Sequence, residues 1–231
     1  MLGAQLAMDN LKEFSLFESL TDEQAERYGQ QCVWRDYLAG ALIIDHNDQS
    51  NDVRFICHGE VRVVVRMQEG REVIFNDHGP DQYFGELAAI DSGTRSANVT
   101  ALTNARLCIM PSAVFNSILD ESHEVTHMVM RKLVTLVRTL SERLSEFTFL
   151  QAKHRICSEL YRMSKDRRGH PGQRIISPPP LQRDIADRVS SRREVVSREM
   201  TILERDGVLE KSKGGLIILD PEELKRRSRE I

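Results

Sequence analysis

Between residues 41 and 109 apolar and polar positions alternate in short stretches. The segments 41–44, Val53–His58, 60–65, 73–76, Asn98–Ala101 and 105–109 are rich in β-branched residues. Turn signals separate them: a His-Asn-Asp-Gln run at 46–49, His58-Gly59, Glu69-Gly70, Gly79-Pro80 and Ser92-Gly93. Short strands at close spacing predict an antiparallel sandwich or barrel of jelly-roll type, entered through a short helical stretch over 11–27.

From Pro111 the period becomes helical. Pro111-Ser112 opens a short helix, and 122–150 contains neither Gly nor Pro. Two apolar rows run along this stretch. Val129, Leu133, Leu136, Leu140 and Phe147 form a seam interrupted by Arg143, the spacing of a coiled-coil contact. Met130, Val134, Val137 and Leu144 form a second row, which suits docking onto the barrel. One small domain does not use both rows, so 122–150 reads as a dimerisation helix; a helix internal to one core is the alternative. Beyond it come a helix over 151–165, a loop over 166–173 and a Pro178-Pro179-Pro180 break. Helices over 181–189 and 191–206 follow, then a strand-turn-strand over 208–219 turning at Lys213-Gly214-Gly215. That order outlines a winged helix-turn-helix. The expected architecture is α+β: a barrel domain over 1–121, the dimerisation helix over 122–150, and a winged helix-turn-helix domain over 151–231.

Charge sharpens this division. The chain of 231 residues carries a net −3, with 13 Lys and Arg against 22 Asp and Glu in residues 1–150, and 19 against 13 in residues 151–231. The halves are therefore −9 and +6, which suits a polyanion partner for the second. Hydrophobic content of 40% and charged content of 29% are ordinary for a globular chain. The first residues lack the basic flank and apolar run of a signal peptide, and no stretch is apolar enough to span a bilayer, which points to the cytoplasm and away from membranes. Cys32, Cys57, Cys108 and Cys157 are too scattered for a zinc site or a disulfide framework, so no metal is expected.

The run from Phe84 to Ala101, FGELAAIDSGTRSANVTA, carries the first candidate chemistry. Gly85 permits close backbone approach ahead of a short helical turn whose N–H groups suit a phosphate. Arg95 offers a planar fork to an equatorial phosphate oxygen, and Glu86 an acceptor to a ribose hydroxyl. The run resembles the phosphate-binding cassette of cyclic-nucleotide-binding domains almost position for position. The resemblance implies that Glu86 holds the ribose 2′-hydroxyl and Arg95 the cyclic phosphate. Gly85, Leu87, Ala88 and Ser96 would add backbone or hydroxyl contacts.

In the run 182–198, Ile185, Ala186 and Val189 give the first helix an apolar face, Ser190-Ser191 read as turn and N-cap, and Val195, Val196, Ile202 and Leu203 face the core. Arg193, Glu194, Ser197 and Arg198 then share the opposite face. Arginine pairs with guanine O6 and N7, and a carboxylate accepts from cytosine N4. Ser-Arg-Arg-Glu-Val-Val-Ser-Arg resembles the recognition helix of the cyclic AMP receptor protein (catabolite activator) family. With the cassette, the long helix and Phe149-Leu150…Arg155-Ile156, the resemblance covers nearly the whole chain. It implies a homodimer that binds double-stranded DNA at palindromes related to TGTGA…TCACA and recruits RNA polymerase. Arg193, Glu194 and Arg198 would read bases. Gln182, Arg183, Arg192 and the wing at Ser212 and Lys213 would hold phosphates, with Ser197 on the same face.

One departure bears on the ligand. Where the family offers an adjacent Thr-Ser pair to the purine, this chain has Leu140-Ser141, with Thr139 one step away. A single hydroxyl on the row assigned to the barrel implies looser reading of the base, so cyclic GMP is expected beside cyclic AMP. Two other readings compete with this one: a ligand-independent regulator with a vestigial pocket, and an enzyme under cyclic-nucleotide control. The last 80 or so residues offer no nucleophile–base pair or metal spacing for the enzyme.

Overall fold

A computed structural model of the protein describes residues 10–46, 48–66 and 72–229. The first nine residues, Asn47 of the 46–49 run and the Glu69-Gly70 turn signal lie outside the described residues. The chain divides into two compact units, one up to Thr135 and one from Leu136 onward.

The entry is not one helix. Two 3-10 turns, Leu11–Glu13 and Ser15–Phe17, precede α1 (Asp22–Gly29). Leu11, Phe14 and Phe17 are all buried, and a spacing of three matches the 3-10 period. Thr21 then starts α1 afresh through a capping box with Gln24.

Two antiparallel four-stranded sheets follow, in a jelly-roll-like arrangement of facing sheets rather than one closed barrel. One runs β1 (Val33–Tyr37), β8 (Ala105–Met110), β3 (Val53–His58), β6 (Tyr83–Phe84). The other runs β2 (Leu42–Ile44), β7 (Asn98–Ala101), β4 (Val61–Arg66), β5 (Glu72–His78). Six of these strands coincide closely with the alternating segments. β1 escaped because Val33 is exposed and Arg35 and Asp36 break the alternation; β6 is two residues long. Gly59 turns β3 into β4 with φ of 85°, and a Cβ there would sit 2.3 Å from the Asn104 carbonyl.

The core of this unit is aromatic. Phe55 of β3 lies 5.2 Å from Phe14, 4.9 Å from Phe17 and 5.2 Å from Tyr83, centroid to centroid. Such pairs add roughly 0.5–1.5 kcal/mol each beyond the area they bury.

After α2 (Glu86–Asp91), which belongs to the cassette, and α3 (Ser112–Glu121), Ser122 separates α3 from α4 (His123–Phe149). Val125 and Val129 of α4 are buried in the N-terminal core, and Leu133 packs against it. The second row, Met130, Val134, Val137 and Leu144, is instead between 45% and 69% exposed. The second row therefore does not dock onto the sheets as expected, while the first does so only through Val129 and Leu133, since Leu136, Leu140 and Phe147 are exposed as well. Helical spacing groups residues on a face, but with two apolar faces it does not say which one meets the core. Ser141, four residues after Val137 and three before Leu144, shares the exposed row rather than the one on the barrel.

The second unit contains α5 (Ala152–Met163), α6 (Gln182–Arg188), α7 (Arg193–Arg205) and α8 (Pro221–Arg227). Its sheet runs β11 (Leu209–Ser212), β12 (Gly215–Ile218), β10 (Arg174–Ile176), β9 (Lys165–Asp166), so the expected loop 166–173 is flanked by two strands that extend the wing. The pattern did not indicate α8, which Asp220 caps by accepting from the Glu223 N–H (2.9 Å) with Pro221 at its first position. Ile156 and Leu160, Ile185, Val196 and Leu203, and Ile218 form the shared core. Buried Glu159 of α5 draws Arg143 of α4 (3.3 Å), Arg188 of α6 (3.6 Å) and Arg162 around it. The Arg143 that breaks the apolar seam therefore has an ionic partner in α5, and three helices are held by one carboxylate.

Candidate ligand pocket and nucleic-acid face

β6 delivers Gly85 with φ of 87°, in the left-handed region, as the residue that caps α2. A Cβ at this position would meet Arg95 Nη1 at 2.6 Å and the Asp52 carbonyl at 2.9 Å, so the space is closed to any other residue type. Arg95 precedes β7 and folds back beneath that turn. It is 3% exposed, and its Nη1 donates to the Gly85 carbonyl (3.1 Å). Nη2 donates to the Asp52 carbonyl (2.9 Å) and, together with Nε, to Ser50 Oγ (2.9 and 3.3 Å). The Asp52 carboxylate stands 3.3 Å from Nη2 and 2.6 Å from Nε of Arg54. Burial weighs against the Arg95 charge and holds its pKa below the ordinary arginine value, while Asp52 supports the charge.

Glu86, 6% exposed, receives Lys132 Nζ of α4 at 3.3 Å. The same ammonium donates to the Tyr83 carbonyl (2.6 Å) and lies 3.3 Å from the centroid of the Tyr83 ring. Burial pushes the Lys132 pKa down, and Glu86 opposes that shift. The cassette thus brings Gly85, Glu86 and Arg95 together. Ala88 is buried behind α2, whereas Leu87 and Ser96 face outward.

Ser50, Asp52, Arg54 and Lys132 were not singled out from the sequence. Lys132 left a trace there, because it follows Val129 by three residues and so shares its face. An ionic residue on a core-facing row needs a partner. On the rest of α4, Ser141 Oγ donates to the Val137 carbonyl (2.9 Å), and Thr139 is half-buried.

In the second unit, α6 and α7 are joined by a tight turn with Ser190 at φ of 47° and the Ser191 N–H donating to the Ala186 carbonyl (2.9 Å). The expected cap at Ser191 is corrected: Arg192 occupies the cap position of α7, without a side-chain bond. Of the expected core-facing residues, Val196 and Leu203 are fully buried and Val195 and Ile202 partly so; Met200 joins them. Gln182, Arg193, Glu194, Ser197, Arg198 and Thr201 line one open depression, so five of the expected nucleic-acid contacts share a surface. Arg193, Arg198 and Arg192 are exposed, and Arg193 and Arg198 make no ion pair among the described residues. Arg183 pairs loosely with Asp187 (3.7 Å). Lys213 stands at the exposed tip of the wing, where Ser212 Oγ donates to the Gly215 carbonyl (3.0 Å).

Comparison with known proteins gives a cyclic nucleotide-binding domain over residues 34–122 and a Crp-like helix-turn-helix domain over 154–227. The two together define a DNA-binding transcription regulator of the cyclic-nucleotide-binding class. The chain belongs to the Crp/Fnr family. It is 24% identical over 220 residues to the CRP-like cAMP-activated global transcriptional regulator of Mycobacterium tuberculosis, covering 95% of this chain and 98% of that one. It is 23% identical over 192 residues to the cAMP-activated global transcriptional regulator CRP of Salmonella typhimurium, covering 82% and 90%. Among solved structures, a CooA mutant from Carboxydothermus hydrogenoformans matches with a TM-score of 0.74 at 20% identity over 86% of this chain and 88% of that one. FixK2 from Bradyrhizobium japonicum matches with a TM-score of 0.71 at 21% identity over 87% and 98%. These two likenesses concern the fold. Among the described residues no helix is long and apolar enough to cross a membrane.

Proposed function

We propose that the chain is a homodimeric regulator whose affinity for palindromic, TGTGA-like DNA is set by cyclic AMP, and by cyclic GMP as well. Arg95 takes the cyclic phosphate and Glu86 the ribose 2′-hydroxyl, with Gly85, Leu87, Ala88 and Ser96 around them. The observation that carries this reading is the convergence of Gly85 and Arg95: a glycine-only turn whose carbonyl holds a buried guanidinium has no need to exist in a plain β-turn. The exposed row Met130, Val134, Val137 and Leu144 supports dimerisation through 122–150, since an apolar stripe of this length at helical spacing suits a second helix. The barrel domain is then 1–121 and the DNA-binding domain 151–231. Arg193, Glu194 and Arg198 read bases, while Gln182, Arg183, Arg192, Ser212 and Lys213 hold phosphates and Ser197 lies between the two sets. RNA polymerase is the partner downstream, in the cytoplasm, and the reading involves neither a catalytic step nor a metal.

Purine tolerance follows from the hydroxyls. Adenine presents a donor at N6 and guanine an acceptor at O6, while Ser141 and Thr139 carry rotatable hydroxyls that serve either. One neutral hydrogen bond changes affinity by only about 0.5–1.5 kcal/mol. A ligand-independent regulator of the same family is the second reading, and it has its own observation: the protein's oxygens already fill the Arg95 fork. Calorimetric titration with each nucleotide separates the two. Both should bind, within about two orders of magnitude of each other. Cyclic AMP binding with no cyclic GMP binding at millimolar concentration would refute purine tolerance, and silence toward both would favour the ligand-independent regulator.

A further inference from the structure

If Arg95 receives the phosphate, as proposed above, the ligand does not meet an open fork. All three guanidinium nitrogens are engaged: Nε and Nη2 with Ser50 Oγ, Nη2 with the Asp52 carbonyl, and Nη1 with the Gly85 carbonyl. The Asp52 carboxylate adds its charge 3.3 Å from Nη2. Arginine has five N–H donors, and a bidentate phosphate takes two of them. Binding therefore requires contacts to be exchanged, and of the two carboxylates that support the Arg95 charge, Asp52 and Asp48, the one in direct contact with the guanidinium and so most opposed to a phosphate is that of Asp52.

The exchange is feasible because Asp52 has a second cation. Its Oδ2 lies 2.6 Å from Nε of Arg54, and Arg54 is buried and anchored in turn to the Ile43 carbonyl. When Arg95 turns to a ligand, Asp52 keeps a charged partner, so no unpaired carboxylate is left in a partly buried site. We propose that Asp52 is a built-in counter-ion of Arg95 that competes with the cyclic phosphate and so sets the affinity of the pocket for any cyclic nucleotide, whatever its base. Ser50 assists it without charge, as an acceptor held in place by its own bond to Asp48 (3.0 Å).

An orienting role, in which Asp52 keeps Arg95 aimed at the ligand, makes the opposite expectation. The sign of one substitution separates the two. In calorimetric titrations of the full chain with cyclic AMP and with cyclic GMP, Asp52→Asn should bind both nucleotides about tenfold more tightly than the wild type, by the same factor for each. Ser50→Ala should tighten both by a smaller factor, and it carries the test alone if Asp52→Asn does not fold. Wild-type binding with equal or weaker binding by the folded variants overturns the counter-ion and leaves the ligand-gated reading standing. Binding by Asp52→Asn where the wild type is silent supports both. Silence from the wild type and both variants overturns both.

Discussion

Arg95 and Arg193 carry the same side chain under opposite conditions. Arg95 is buried, and every nitrogen of its guanidinium has a protein acceptor. Arg193 is exposed on the open face of α7 and commits its charge to no partner among the described residues. A phosphate reaching Arg95 gains only the difference between its own contacts and those it displaces. A phosphate or base edge reaching Arg193 displaces water alone. On the proposed reading, the site at Arg95 therefore suits a small ligand that fits well enough to break existing contacts. The α7 face is built for a polyanion attracted from a distance, and its binding should be salt-dependent where the pocket's is much less so.

The largest expected effect sits at the buried end of this comparison. Arg95→Ala or Glu86→Ala should abolish nucleotide-stimulated DNA binding while leaving a folded protein, since each removes a charge-assisted contact worth about 1.5–3 kcal/mol. The same substitutions leave Asp52 and Lys132 with one partner fewer, so a thermal melt should accompany the DNA-binding assay. A folded variant that still answered micromolar nucleotide would remove the cassette from the account.

At the exposed end the effects are smaller and divide by kind. Arg193→Ala and Arg198→Ala should each cost about 1–3 kcal/mol on the preferred duplex and relax discrimination at one base pair per half-site. Lys213→Ala should weaken all duplexes alike and lower the salt slope by about one. Competition with random duplex over a salt series reads both. Equal losses for Arg193→Ala on specific and random DNA would move Arg193 from base readout to phosphate contact.

The two ends also differ in how much of them could be read from the chain. The cassette and the helix-turn-helix are contiguous runs in which spacing fixes the face, so the grouping of Gly85, Glu86 and Arg95 and the shared face of Arg193 and Arg198 were legible, while their roles are those proposed above. The groups that hold Arg95 and Glu86 were not. Ser50 and Asp52 lie 45 and 43 residues from Arg95, and Lys132 is on a different helix, so these contacts exist only after the sheets and α4 have packed. The two 3-10 turns were hidden because a three-residue apolar spacing also fits one side of an α-helix. On α4 the row that meets the N-terminal core at Val129 and Leu133 is not the one expected to dock there, because Val129 and Met130 are equally apolar and only packing chooses between them.

Under the proposed function, ligand and DNA act on one equilibrium. Linkage then requires each to strengthen the other by the same factor. The direct measurement is the affinity of the full chain for a palindromic TGTGA-type duplex with and without saturating cyclic AMP, paired with the affinity for cyclic AMP with and without saturating duplex. The expected result is a matching gain of about tenfold or more in both titrations. Nucleotide that binds with one affinity throughout, on a protein whose DNA affinity never changes, would show that the two sites are uncoupled and contradict the proposed function.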